Sequence, residues 1–92
     1  MGTEYPEEKT AVNKAEMAGF FVRKVTWPGH PSAPDRVFSR EDRGTVYIEF
    51  KRPGKEPTAK QYREHDRMRK AGMEVHWFDN WKDALDCLGV PW

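Results

Sequence analysis

Aromatic and β-branched residues occur along the chain in short runs, and turns rich in glycine and proline separate these runs. Runs of this kind predict β-strands, and three are expected in the first part of the chain, over residues 20–27, 36–40 and 45–51. The third run is almost continuously apolar, which is typical of a central strand that is covered on both faces. A short turn containing Gly44 joins the second run to the third and predicts an antiparallel pair.

Three helices are expected, over residues 5–18, 58–71 and 81–88. Pro6 suits the first turn of the first helix, and Gly19 ends that helix. The apolar stripe of this helix is thin and consists at most of Val12, Ala15 and Met17. A helix with so little apolar surface needs a close partner to hold it.

The other two helices begin with recognisable caps. Thr58 and Gln61 stand at the spacing of a capping box at the start of the second helix. Asp79 or Asn80 caps the third helix, which follows a fourth strand expected over residues 73–78. The order of elements predicts an α/β fold, in which a small mixed β-sheet is flanked by helices (α-β-β-β-α-β-α).

The composition is that of a folded protein, since 37% of the residues are hydrophobic and 13% are aromatic. No repeat or long linker divides the chain, so residues 1–92 are expected to form one domain. Cys87 is the single cysteine; it excludes an internal disulfide and a cysteine-rich zinc site, and we interpret it as a buried thiol. No apolar run approaches the length of a membrane span, and the polar, acidic start is unlike a secretory signal. A cytoplasmic protein without a membrane partner is expected.

The net charge is only +1, but the charges are unevenly distributed. Residues 19–72 carry thirteen basic and seven acidic side chains, whereas residues 1–18 and 73–92 are both net acidic. A basic excess in the middle of the chain suits a face that binds a polyanion such as DNA. An ordinary solvated face has the same pattern, so charge alone does not distinguish the two.

The candidate chemistry lies where the second and third strands are expected to meet. Glu49 and Lys51 alternate with Phe50, so both point to one face of a strand that is otherwise apolar. Burial of two charges there is costly unless they pair or bind something. Asp35 immediately precedes the neighbouring strand, and a hairpin would place it beside Glu49. The two carboxylates and the main-chain carbonyl of Phe50 form an oxygen-rich site that suits Mg²⁺.

A metal ion at this point would gather a scissile phosphate and a water molecule. Lys51 could position or deprotonate the attacking water, or it could stabilise negative charge in the transition state. The alternative is a salt-bridged cluster of Asp35, Glu49 and Lys51 at the edge of the sheet in a purely structural α/β domain.

Several short motifs follow one another in order. They are Gly19, Lys24-Val25, Ala33-Pro34-Asp35-Arg36, Ile48-Glu49-Phe50-Lys51-Arg52-Pro53-Gly54, Pro57, Gln61 and Ala71-Gly72. Pro34-Asp35 followed by Glu49-Phe50-Lys51 looks like the PD-(D/E)XK nuclease signature, and the ordered set resembles its VRR-NUC branch. The resemblance covers roughly residues 8–78. The loop over residues 28–34 departs from the family in its three prolines, which should stiffen it and alter the DNA shapes that fit.

The resemblance implies a metal-dependent DNA endonuclease that uses Mg²⁺ or Mn²⁺ and acts on branched DNA such as junctions or flaps. The branch occurs in phages, so a phage-encoded chain would act in the cytoplasm of a bacterial host. The family's first helix also supplies a glutamate that binds the metal or its water. Counting back from Gly19 assigns this role to Glu8, with Glu4, Glu7 and Glu16 as alternatives.

Gln61 matches a family glutamine that faces the metal and orients water or phosphate. The capping box with Thr58 is the alternative reason for its presence. Basic residues around the predicted site are candidates for contacts with DNA, namely Arg36, Lys55, Lys60, Arg63, Lys24 and His30. The three histidines, His30, His65 and His76, do not have the spacing of zinc ligands.

The functional unit is expected to be a homodimer. The thin first helix needs support, and a core this small cannot easily enclose Trp27, Trp77, Trp81 and Trp92. Interfaces are enriched in such residues, although a monomer with tryptophans packed around its sheet is the alternative. A different class of function also remains open, a nuclease-like fold that binds DNA or a protein without cutting. Binding of Mg²⁺ or Mn²⁺ at Asp35 and Glu49 would distinguish the nuclease.

Overall fold

The computed structural model describes residues 6–92, in which three helices and four strands follow one another in the predicted order. Residues 1–5 lie outside the described part, and the predicted start of the first helix falls there. The elements are α1 (Pro6–Met17), β1 (Phe21–Lys24), β2 (Arg36–Arg40), β3 (Gly44–Phe50), α2 (Ala59–Lys70), β4 (Val75–Phe78) and α3 (Trp81–Leu88). The predicted α/β class is therefore confirmed.

The strands form one mixed sheet in the order β1-β2-β3-β4. The first three strands pair antiparallel, while β4 runs parallel to β3 because α2 carries the chain back along the sheet. The tight connection between β2 and β3 aligns Arg40 with Gly44 and Arg36 with Ile48. The predicted antiparallel pair is confirmed, and the start of β2 meets the end of β3.

Alternation along β3 directs its side chains to two different surroundings. Val46, Ile48 and Phe50 are buried in one cluster with Leu85 and Leu88 of α3. Glu49 lies between them in sequence and is also buried, but its carboxylate faces α2. The prediction of a strand covered on both faces is confirmed, and one of its faces carries a charge.

Helix α1 packs against α3 and β1. Its buried apolar residues are Ala11, Val12 and Ala15, whereas Met17 is 88% exposed. The prediction that Met17 belongs to the apolar stripe is therefore wrong. Ala11 and Ala15 are four residues apart and share a face, but Met17 lies two residues beyond Ala15 and points away.

Local hydrogen bonds decide two boundaries that the sequence pattern left open. The side chain of Asn80 caps α3 by accepting from the Asp83 amide, while Asp79 accepts from the Gly54 amide at 3.0 Å. Strand β1 is shorter than predicted because Lys24 already pairs with Arg36, the first residue of β2, so residues 25–27 lie beyond the paired part of the strand. Within residues 6–92, no helix has both the length and the apolar character needed to cross a membrane.

Candidate active site

Side chains from α1, α2 and the β2–β3 region reach one open cleft of about 410 Å³. Its charged and polar lining consists of Glu8, Lys24, Thr26, Asp35, Glu49, Lys51 and Gln61. All five residues predicted to be catalytic therefore lie together. The sheet register explains the centre of this group, since the start of β2 meets the end of β3.

Asp35 is fixed by the backbone of the neighbouring strand. Its Oδ2 accepts a hydrogen bond of 2.7 Å from the Phe50 amide. Partial burial raises the pKa of Asp35 to about 7, and the nearby charges of Glu49 and Glu8 add to this effect. The hydrogen bond from the Phe50 amide and the charge of Lys51 lower this pKa, but by less than burial and the two glutamates raise it. The cleft therefore has more negative charge than its own cations neutralise.

Glu49 is 3% exposed, and one of its carboxylate oxygens contacts both Gln61 and Lys51. Its Oε2 accepts from Gln61 Nε2 at 3.2 Å and lies 3.7 Å from Lys51 Nζ. Gln61 also completes the capping box, because its Oε1 accepts from the Thr58 amide at 2.9 Å. The capping box is therefore confirmed, and the other end of the Gln61 amide contacts Glu49, while a role of Gln61 in orienting water or phosphate stays a prediction.

Known proteins resemble this chain in sequence and in fold. No family model matches the chain. A protein of Acyrthosiphon pisum secondary endosymbiont phage 1, named "Putative nuclease p44", is 33% identical over 73 residues, which cover 79% of this chain and 78% of the relative. A solved structure described as "VRR_NUC domain" matches with a TM-score of 0.74 and 34% identity, over 85% of this chain and 87% of the other. The chain belongs to the VRR-NUC family.

Among the glutamates of α1 considered for the VRR-NUC site, Glu8 lines the cleft. It is 8% exposed, and its Oε2 accepts from Arg36 Nε at 2.7 Å. Glu7 instead accepts from the Trp81 amide at 3.0 Å at the start of α3, and Glu16 is exposed. Glu4 lies outside the described residues. The packing of α1 against α3 thus directs Glu8 towards Asp35.

The basic residues predicted to contact DNA are not all placed alike. Arg36 is 7% exposed and pairs with Glu8, a placement that suits support of the carboxylate rather than a contact with DNA. The reason is that Arg36 begins β2 directly after Asp35, so the side chains of these two residues point to opposite faces of the sheet. The others, Lys24, His30, Lys55, Lys60 and Arg63, are exposed. Of these, Lys24 borders the cleft itself.

His65 belongs to this VRR-NUC site although sequence analysis assigned it no role. It is fully buried, its Nε2 lies 3.9 Å from Glu49 Oε1, and neither ring nitrogen has a hydrogen-bond partner among residues 6–92. Glu49 Oε1 likewise has none. Gln61 and His65 are four residues apart on α2, so the helical period was the signal that could have found it.

The cleft fits a divalent cation of the hard type. Its carboxylate oxygens are the ligands that Mg²⁺ and Mn²⁺ prefer. The raised pKa of Asp35 and the buried, unpartnered Oε1 of Glu49 show where positive charge is lacking. Glu8, Asp35 and Glu49 are not drawn together tightly enough to form a three-ligand cluster. A cation would be held partly through water molecules, as Mg²⁺ commonly is.

A second group of metal-ligand types occurs at the opposite end of β4. Within residues 6–92, only Glu74, His76 and Cys87 bring three such ligand atoms within 4.8 Å of one another. Arg43 occupies this group, because it donates to both Glu74 oxygens, at 3.0 and 2.7 Å, and to the Cys87 carbonyl. Its hydrogen bonds lower the pKa of Glu74 to about 2. Arg43 thus forms an ion pair with Glu74 within this cluster. Cys87 is half-buried, whereas a buried thiol was predicted.

Proposed function

We propose that this protein is a nuclease that hydrolyses phosphodiester bonds in DNA and depends on Mg²⁺ or Mn²⁺. The observation that carries the proposal is the cleft of a VRR-NUC protein in which Asp35 and Glu49 meet beside Lys51 without sufficient positive charge. The printed name of the phage relative, "Putative nuclease p44", supports the same activity.

Each residue of the cleft has its own role in the proposed reaction. Asp35, Glu49 and the carbonyl of Phe50 would hold the cation, with Glu8 acting directly or through water. When bound, the cation supplies charge for the phosphate oxygens and makes a water molecule more acidic. Lys51 would place its ammonium beside the charge that develops on the phosphate, in a site too buried for water to screen it fully. Gln61 holds Glu49 in place and orients a water molecule or the phosphate.

The substrate that we propose is branched DNA, a junction or a flap, in replication or repair. The alternative, a nuclease fold that binds DNA or a protein without cutting, lacks a reason to bury Asp35 and Glu49 together. Purified protein should be incubated with branched and linear DNA, each with Mn²⁺ and with EDTA. Cleavage of branched DNA is expected with Mn²⁺ and not with EDTA. Binding of DNA without cleavage in either condition would favour the alternative.

Glu8→Gln is expected to slow cleavage and to raise the Mn²⁺ concentration needed for half-maximal rate. The reason is that Glu8 lines the cleft, whereas Glu16 is an exposed residue of the same helix. A loss of about tenfold or more is expected for Glu8→Gln and little change for the matched Glu16→Gln. A strong loss in Glu16→Gln with normal Glu8→Gln would show that another turn of α1 serves the site.

His65→Leu is expected to lower the cleavage rate by about ten- to hundredfold and to weaken Mn²⁺ binding. His65 faces Glu49, and an approach of about one ångström would let its ring N–H donate to Glu49 Oε1. His65→Gln keeps a hydrogen-bond donor and should reduce the cleavage rate and Mn²⁺ binding by less. Calorimetric Mn²⁺ binding without DNA separates this positioning role from a purely structural one, and His76→Leu is the histidine control. Equal Mn²⁺ binding by wild type and His65→Leu would contradict the role.

The nuclease is expected to act as a homodimer. Met17, Phe21 and Trp92 are 88%, 55% and 55% exposed, so large apolar side chains are available on the surface for an interface, where such residues are enriched. A dimer would set two cleavage sites on one branched substrate. Light scattering should give the mass of two chains at micromolar concentration. A mass of one chain, unchanged by branched DNA and metal, would be incompatible with this prediction.

A further inference from the structure

The loop between β1 and β2 lies between the active-site cleft and a second groove, and shared lining residues connect the two. The cleft shares Val25, Thr26 and Ala33 with a cavity of about 460 Å³ on this loop. That cavity in turn shares Trp27 and His30 with a groove of about 700 Å³ against α2. We call this surface the loop track. It gives an extended ligand in the cleft a concave path towards α2.

The far end of the loop track combines apolar and basic side chains. Trp27, Met68 and Met73 line the groove, and the ring of Trp27 is held by packing 6.1 Å from Tyr47. A neighbouring cavity of about 290 Å³ is lined by Pro31, Ser32, Lys60, Arg63 and Arg67. The groove and this cavity share Arg67, so positive charge borders apolar surface along one side of α2.

Little negative charge opposes these cations. Within residues 6–92, the side chains of Lys60 and Arg63 form no hydrogen bond or ion pair, and both residues are exposed. Glu64 lines the groove, but it pairs with Arg67 at 3.3 Å and its side chain is only 17% exposed. The three basic residues therefore leave a net positive charge that suits a polyanion.

We propose that the loop track binds a single-stranded segment of DNA that continues from the strand held in the cleft. This proposal rests on the proposed nuclease function and specifies its substrate. A duplex offers phosphates but keeps its base faces stacked, so an apolar groove has no use for it. Unpaired bases expose those faces and stack on aromatic and apolar side chains, while a basic groove follows their backbone. Trp27 and Met73, which are both partly exposed, would receive bases, and Lys60, Arg63 and Arg67 would receive phosphates.

The test measures binding without cleavage. Fluorescein-labelled oligothymidylate of about twelve nucleotides is titrated in EDTA with Asp35→Asn protein, and anisotropy reports binding. Adding Lys60→Glu and Arg63→Glu should weaken binding about tenfold or more and reduce the magnitude of the salt slope by roughly 1.4, since each contact to a single strand contributes about 0.7. The matched double reversal, Lys14→Glu with Lys82→Glu, changes two exposed lysines outside the loop track and should have little effect.

Two further probes address the bases. An abasic oligomer of equal length should bind about tenfold more weakly than oligothymidylate, because stacking is lost. Changing Lys60 and Arg63 to glutamate should reduce the affinity for a blunt duplex of that length by less than it reduces the affinity for the single strand. The proposal would be overturned if reversing Lys60 and Arg63 weakened binding no more than reversing Lys14 and Lys82. It would also be overturned if the abasic oligomer bound as tightly as oligothymidylate. Because no cleavage is measured, a protein that binds in this way but never cuts DNA would refute the nuclease function and leave the loop track standing.

Discussion

Asp35→Asn, Glu49→Gln and Lys51→Met are each expected to reduce DNA cleavage by at least about a thousandfold, or about 4 kcal/mol in the barrier. Each change removes a charge and keeps the shape of the side chain. An asparagine at position 35 can still accept from the Phe50 amide, and a glutamine at position 49 can still accept from Gln61. The fold should therefore survive while the charge that serves the cation and the phosphate is lost.

Rates are measured in Mn²⁺ on branched DNA, and circular dichroism with thermal unfolding checks that the variants are folded. Asp66→Asn is the control, because Asp66 is an exposed carboxylate on α2 that contacts only Arg69 among the described residues. Its rate should equal that of the wild type. Retention of Mn²⁺-dependent cleavage by Asp35→Asn, Glu49→Gln and Lys51→Met would show that the reaction takes place elsewhere on the protein.

Without divalent metal, the protein is expected to become less stable as the pH rises from about 4 to about 7. The pKa of Asp35 is raised from 3.8 to about 7 in the folded state, because burial and the charge of Glu49 disfavour its ionised form. The folded protein therefore holds a proton that the unfolded chain releases in this range. Stability is greatest below the unfolded pKa and falls until the pH passes the folded value.

Asp35→Asn removes this dependence and is the matched comparison. Above pH 7, the Asn variant should be more stable than the wild type by roughly 1–2 kcal/mol, a value reduced for the solvent that reaches the half-buried carboxylate. Urea unfolding in EDTA measures the difference between the two proteins, so the titration of Glu74 at low pH cancels. Mg²⁺ should restore stability to the wild type at high pH and do little for the variant. If the free energies of unfolding of wild type and Asp35→Asn changed with pH in parallel when metal is absent, the raised pKa of Asp35 would be contradicted.

The arrangement at the centre of the site was predictable because short-range signals specify it. A tight turn at Gly44 forces β2 and β3 to pair antiparallel, and this register alone puts Asp35 beside Glu49. Alternation along β3 then separates the charged face from the apolar face that carries Phe50. These are local rules of backbone geometry, and they require no knowledge of what covers the sheet.

The outer part of the site depended on how helices pack, which local rules do not specify. Counting back from Gly19 favoured Glu8 but left Glu7 open as an alternative, and the contact of α1 with α3 turns Glu8 into the cleft and Glu7 to the Trp81 amide. In the same way, the sequence predicts that Arg36 contacts DNA, whereas in the folded protein Arg36 is buried and pairs with Glu8.

The sequence by itself determined the order of elements, the β2–β3 register, the capping box and the Asp35, Glu49 and Lys51 group. Turn chemistry and side-chain period act over a few residues, so they can be recognised without coordinates. The tertiary structure alone decided which side of α2 lies over β3, and with it the burial of His65 against Glu49. A helix can present several side chains to a sheet at similar local cost, and the choice among them is made by the packing of the whole core.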